Sequence, residues 1–120
     1  MYRTSIAASL CLLALASCAG QSDYLGGQGL AQALVGRQFA AATDRGIPFT
    51  IKFDSGGTGT VTLYKRAMPL TWTISGDVLC FGTTVNGQTH SECDKVRQVG
   101  VEYEFIDSTT GSLNNTYTPI

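Results

Sequence analysis

Asn86-Gly87 lies midway between Cys80 and Cys93, and no other feature constrains the fold of this chain as tightly. Asn-Gly is a strong signal for a two-residue type I′ hairpin turn, because both central residues of that turn take a positive φ. Counting outward from the turn, Val85 faces Gln88, Thr84 faces Thr89, Thr83 faces His90 and Cys80 faces Cys93. Hydrogen-bonded and non-bonded pairs alternate from the turn, which puts 80/93 at a non-hydrogen-bonded site where side chains come closest. Turn chemistry and cysteine spacing therefore specify the same antiparallel hairpin, with Cys80–Cys93 as its disulfide. Closing a loop of about fourteen residues contributes roughly 3 kcal/mol in the chain-entropy model. A redox or metal role fits these residues poorly. There is no Cys-x-x-Cys, and a single histidine cannot complete a zinc site. No metal or other cofactor is expected.

The segments on either side repeat the period-two pattern of half-buried strands, broken by turn chemistry every seven to ten residues. Phe49, Ile51 and Phe53 alternate with Thr50 and Lys52, and Ser55-Gly56-Gly57 turns the chain into Thr58–Tyr64. The glycines of Gly56-Gly57-Thr58-Gly59 lack the lysine and following helix of a phosphate loop, and are read as a hairpin connection. Leu70, Trp72 and Ile74 lead to Ser75-Gly76-Asp77; Val99, Val101, Tyr103 and Phe105 lead to a turn in 107–111 and a last strand ending at Tyr117. With 37–42 and the cysteine hairpin, about eight short strands are expected. The fold class is all-β, a small antiparallel meander closed as a barrel or rolled into a sandwich; closure removes exposed edges. Leu30 and Leu34, spaced i and i+4 before Gly36, predict one short N-terminal helix.

One register problem stands out. If Gly76-Asp77 makes a two-residue turn, Leu79 and Phe81 join the Trp72/Ile74 face, and the disulfide pairing then sets Glu92 and Asp94 opposite them. Two acids on the inner face are costly, so a bulge near Asp94 or a looser Gly76 turn is expected to break the register. The candidate inward set (Phe49, Ile51, Phe53, Val61, Leu63, Leu70, Trp72, Ile74, Val101, Tyr103, Phe105) is bulky at nearly every position. A filled interior with no sizeable cavity is expected from it, with Trp72 as the central core aromatic or, less simply, a binding platform.

The first residues concern address rather than fold. Arg3 precedes an apolar run from Ile6 to Ala16 that is too short to span a bilayer, the layout of a signal peptide. Leu15-Ala16-Ser17-Cys18 resembles a bacterial lipobox. The resemblance implies removal of residues 1–17, lipidation of Cys18, and a tether over 18–29 ahead of a single β domain over 30–120. The membrane is then a partner through that anchor, since stable anchoring takes at least two acyl chains and the resemblance implies three. Ala19, not aspartate, follows Cys18, which by the same resemblance favours the outer membrane, facing the periplasm or the cell surface. The alternative is an ordinary signal peptide in which Cys18 is incidental. Export places Cys80 and Cys93 in an oxidising compartment. More loosely, Trp72-x-Ile74-x-Gly76-Asp77-x-Leu79-Cys80, then Cys93, then Tyr103-x-Phe105-x-Asp107 and Gly111, is similar to small exported bacterial β-proteins, among them protease-inhibitor lipoproteins. It implies fold and compartment only.

Composition excludes more than it identifies. Without Arg3, seven basic side chains stand against nine acidic ones, interspersed in sign. There is no basic stripe for nucleic acid and no polybasic cluster for a second membrane contact. Ser91 and His90 are strand neighbours and point to opposite faces, so they make no nucleophile–base pair. Glu102 and Glu104 share an outer polar face, and Asn114-Asn115-Thr116 is formally a glycosylation sequon without meaning in a bacterial envelope. The expected function is therefore non-enzymatic: a monomeric, lipid-anchored envelope protein acting through a protein partner as inhibitor, assembly factor or surface antigen. The alternative is a carrier of a small apolar ligand in a barrel cavity. An open apolar interior would favour the carrier, and a filled one the partner.

Overall fold

The computed structural model describes residues 24–120. Residues 1–17, read above as a signal peptide, and Cys18 lie outside the described residues. A helix, α1 (Gly27–Leu34), precedes eight strands: β1 (Arg37–Ala42), β2 (Pro48–Asp54), β3 (Thr58–Leu63), β4 (Arg66–Ser75), β5 (Val78–Val85), β6 (Gln88–Val99), β7 (Glu102–Asp107) and β8 (Leu113–Pro119). Every strand pairs antiparallel with its neighbours in sequence, and β1 closes on β8, giving an eight-stranded meander barrel. Of the two architectures left open by the sequence, the closed one forms.

The hairpin register is the one that the turn chemistry specifies, with Cys80↔Cys93, Thr83↔His90 and Val85↔Gln88. Asn86 and Gly87 have φ of 52° and 80°, the positive pair that a type I′ turn demands. The cysteines are disulfide-bonded, their Cα atoms 4.0 Å apart, the close approach of a non-hydrogen-bonded pair.

The two ends of the barrel differ. At the end made by the β2–β3, β4–β5 and β6–β7 turns, α1 lies across the opening and buries Leu30 and Leu34 completely. Each such leucine stabilises the fold by about 1.5–3 kcal/mol through removal from water. That contribution holds a helix whose two internal glycines and missing side-chain N-cap make it marginal alone. The helix begins at Gly27, inside the segment read as tether. A Cβ there would stand 2.7 Å from the Gly76 carbonyl oxygen, so glycine is what lets α1 approach the β4–β5 turn. Tyr24 and Leu25 are also attached: Tyr24 bridges to Arg97, the Lys95 ammonium lies 5.5 Å from its ring centre, and Leu25 N–H donates to the Val96 carbonyl at 2.8 Å. The tether reading is thus corrected from Tyr24 onward. Its few apolar residues suffice because the barrel supplies the surface they pack on.

Above the helix runs a belt of edge-to-face aromatic rings. Phe53 stands 6.2 Å from Phe39 and 5.9 Å from Phe81; Phe81 is 5.8 Å from Phe105, which meets Tyr117 at 4.2 Å in a tilted pair. Phe39, Phe53, Leu79, Val96 and Phe105 are wholly buried. Trp72 is half-buried at the margin of this core, not its centre. It packs edge-on to Phe53 at 6.3 Å, and its indole N–H is shared between the carbonyls of Thr58 (2.7 Å) and Asp54 (3.0 Å) across the β2–β3 turn. Val101 leaves the inward set: it is 74% exposed in the turn before β7.

Candidate functional site

The opposite end, made by the β1–β2 loop and the β3–β4 and β5–β6 turns, is open. It leads into a cavity of about 820 Å³, within the usual range for sites that hold a small molecule. The expectation of a filled interior is therefore overturned. The inward residues are as bulky as their sequence suggests, but the bulk is unevenly placed. Leu30, Leu34, Phe39, Phe53, Leu79 and Phe105 fill the helix-covered end, while in the upper half the smaller Val61, Thr83 and Val85 leave room beside Phe49, Leu63 and Phe81. Eight strands allow either outcome, a packed interior or room for one small ligand.

Proline helps to open the mouth. Pairing of β4 with β5 starts at Leu70↔Thr83, although both strands continue toward the mouth. The next residue, Pro69, has no N–H to extend that ladder. Thr83 Oγ1 instead donates to the Pro69 carbonyl at 2.7 Å, and Met68 and Val85 border the cavity beyond that point. The β1–β8 seam is also short, with Phe39↔Pro119 and Ala40↔Thr118; the Asn115 side-chain amide reinforces it by donating to the Ala42 carbonyl at 2.8 Å.

The walls are apolar on one side and polar on the other. Phe49, Ile51, Val61, Leu63, Met68, Leu70 and Phe81 form the apolar wall; Thr83, Thr89, His90, Glu92 and the Tyr117 phenol end of β8 form the polar one. The inward row of β6 runs His90, Glu92, Asp94, Val96 from rim to core. His90 is exposed, as expected for a residue near a hairpin tip, yet it borders the cavity.

Glu92 and Asp94 do face inward. The register holds without a break, with Phe81↔Glu92 and Leu79↔Asp94, so the expected bulge near Asp94 does not form. The irregularity lies two strands away, on β8, instead. β8 pairs Phe105↔Asn115 and Ile106↔Leu113, which leaves Asn114 as the extra residue. A bulge re-aims its side chain: Asn114 Nδ2 donates to Asp94 Oδ1 at 2.6 Å and to Asp107 Oδ2 at 3.3 Å. This is how the sheet accommodates Asp94, which is fully buried. Asp107 is itself tied down by the backbone N–H groups of Thr109 and Thr110, each at 2.9 Å, and these lower its pKa.

Among the described residues, two buried side-chain oxygens remain without a donor, Glu92 Oε2 and Asp94 Oδ2. The Glu92 carboxyl lies within hydrogen-bonding reach of Asp94, so a proton held between them satisfies both. Burial first, then that bond and the charges of Asp94 and Asp107, push the pKa of Glu92 up to about 8. The pair thus carries a proton at neutral pH. Tyr117 is raised as well, by burial and then by the negative charges of Glu92 and Asp94, and stays a neutral phenol.

The outward acids behave as the sequence suggests. Glu104 accepts from Arg97 Nε at 2.7 Å, and Glu102 accepts from Thr118 Oγ1 at 3.1 Å. Sequence reasoning noted the inward acids but read them as a register conflict; it read Asn114 only as part of a sequon. No family model, curated protein or solved structure matches this chain, so the cavity is interpreted from its own residues.

Proposed function

We propose that this is a non-enzymatic, lipid-anchored protein of the bacterial envelope that holds one small, mostly apolar molecule in the open end of its barrel. The observation that carries the reading is the cavity of about 820 Å³, with an apolar wall facing a short polar row. Such a combination, apolar lining with a few placed polar groups, is what a small-molecule site requires. The helix-covered end supports it, because a ligand entering at the mouth meets a packed floor. No water-sized void remains between Leu34, Phe53, Trp72, Ile74 and Leu79. The anchor follows from the lipobox resemblance at Cys18.

The test is uptake of an environment-sensitive apolar dye by the purified protein, alongside a Val61→Phe variant. Val61 is half-buried and lines the cavity, so a ring there occupies ligand space. Saturable one-to-one binding, weakened at least about tenfold by Val61→Phe, is expected. Absence of saturable binding refutes the reading, and so does uptake that the substitution leaves unchanged. A second reading, docking to a protein partner, is favoured by the exposed Val99, Val101 and Ile120 around the helix-covered end. Pulldown from detergent-solubilised envelope with Val101→Ser as the comparison tests it.

A further inference from the structure

We propose that the ligand of this cavity carries a cationic head, a primary amine on an apolar body, which docks against the carboxyls of Glu92 and Asp94. The inference rests on the ligand-binding reading above and names the chemistry of its ligand. Three observations point the same way.

The first is the placement of the two carboxyls, which have only a shared proton between them. Glu92 Oε2 and Asp94 Oδ2 are buried and have no donor, and Glu92 lines the cavity. An ammonium group offers three N–H donors and a positive charge, so it can displace the shared proton and donate to the Glu92 carboxyl from the cavity, its charge also compensating Asp94 buried behind it. The raised pKa of Glu92 is consistent with this placement: burial comes first among its causes, then the hydrogen bond and negative charge of Asp94 and the charge of Asp107.

The second is the charge of everything that faces this point. On β6 itself are His90 at the rim and Asp94 below; β5 presents Phe81 opposite; Asp107 and Asn114 stand behind Asp94, and Tyr117 approaches from β8. The β1–β2 loop adds Asp44 at the mouth, and among the described residues no lysine or arginine lines the cavity. The basic side chains of β6 point outward into other pairs, Lys95 to Asp77 at 3.8 Å and Arg97 to Glu104 at 2.7 Å. A carboxylate head would meet acids without a compensating cation, whereas a cationic head is complementary.

The third separates an organic cation from a metal ion. Among the described residues no three His, Cys, Asp or Glu side chains are arranged to hold a metal. Two carboxyl oxygens beneath an apolar wall suit a head group whose remaining contacts are made by its own hydrocarbon.

The experiment is calorimetric titration of the purified protein with octylamine, 1-octanol and octanoate, three probes that share a chain and differ in head. Octylamine is expected to bind at least about tenfold more tightly than 1-octanol, with octanoate weakest, and Glu92→Gln should bring octylamine down to the level of 1-octanol. Because the amine replaces a held proton, its binding near neutral pH should release protons into solution. Release is measured by repeating the titration in buffers of different ionisation enthalpy. That measurement uses the unaltered protein and decides the matter even where Glu92→Gln fails to fold. Equal binding of octylamine and 1-octanol, or amine binding without proton release, overturns the cationic head while leaving the carrier reading in place. Failure of all three probes to bind overturns both.

Discussion

Replacing Glu92 with glutamine should change how stability depends on pH, and the direction is fixed by where the carboxyl sits. Its pKa moves from 4.5 in an unconstrained chain to about 8 in the barrel, chiefly because burial disfavours the charged form. Between those values the folded protein binds more protons than the unfolded chain, so stability must fall as pH rises through this window. The contribution is fully present below the unfolded pKa and is lost above the folded one. The entire shift corresponds to roughly 4–5 kcal/mol. That is an upper bound, because Glu92 borders the cavity, whose water screens its charge. A loss of about 1–3 kcal/mol between pH 5 and pH 9 is therefore expected for the native sequence. Glu92→Gln keeps the shape, and its amide can donate to Asp94 Oδ2, the atom now lacking a donor. The variant should lose less stability over that range and exceed the native protein above pH 8. Urea unfolding at several pH values, followed by fluorescence of the single tryptophan, measures both. Parallel stability curves for the two proteins would refute the reasoning, since they would show that Glu92 does not titrate between pH 5 and pH 9.

Other perturbations test separate parts of the structure. Removing the Cys80–Cys93 bridge by a double serine substitution should lower stability by about 2–5 kcal/mol, and non-reducing peptide mapping should recover both cysteines in one fragment. Trp72→Ala should cost about 2–3 kcal/mol, less than the 3–5 of a fully enclosed ring. Trp72→Phe should cost about 1 kcal/mol for the carbonyls of Asp54 and Thr58 left without their shared donor; denaturant unfolding reads both. If Cys18 is lipidated, intact mass should show loss of the first seventeen residues plus acyl mass, and Cys18→Ser should leave the membrane fraction or fail to mature.

Much of the barrel is legible in the sequence because turn chemistry fixes register. Asn86-Gly87 alone sets the pairing of β5 with β6, and the glycines near 56 and 76 set the flanking hairpins. What escapes is the turn at Tyr64-Lys65. Both residues adopt positive φ, 52° and 64°, without the glycine or asparagine that would advertise it, so β4 starts at Arg66 and not near Leu70. The cavity was hidden for a different reason. Inward residues can be identified from alternation, but their height along the barrel depends on tilt and on the helix that fills one end. Pro69, inside an otherwise regular strand, was the one local sign of an interrupted ladder. The buried acids were visible as a conflict between two reliable rules, register and hydrophobic patterning. Conflicts of that kind tend to fall at functional sites, and the structure keeps both acids, using Asn114 from the β8 bulge to satisfy part of the charge.

The central claim is that the open half of the barrel is a binding site, and methyl-resolved NMR of the protein titrated with an apolar probe tests it most directly. Methyls of Ile51, Val61, Leu63, Met68 and Val85 line the cavity and should shift together and saturate at one equivalent, with intermolecular contacts to the probe. Those of Leu30 and Leu34 under the helix, and of exposed Val99 and Leu113, should stay in place. Saturable shifts at Val99 or Leu113 with the cavity methyls unmoved, or no saturable shift at any methyl, would contradict the account.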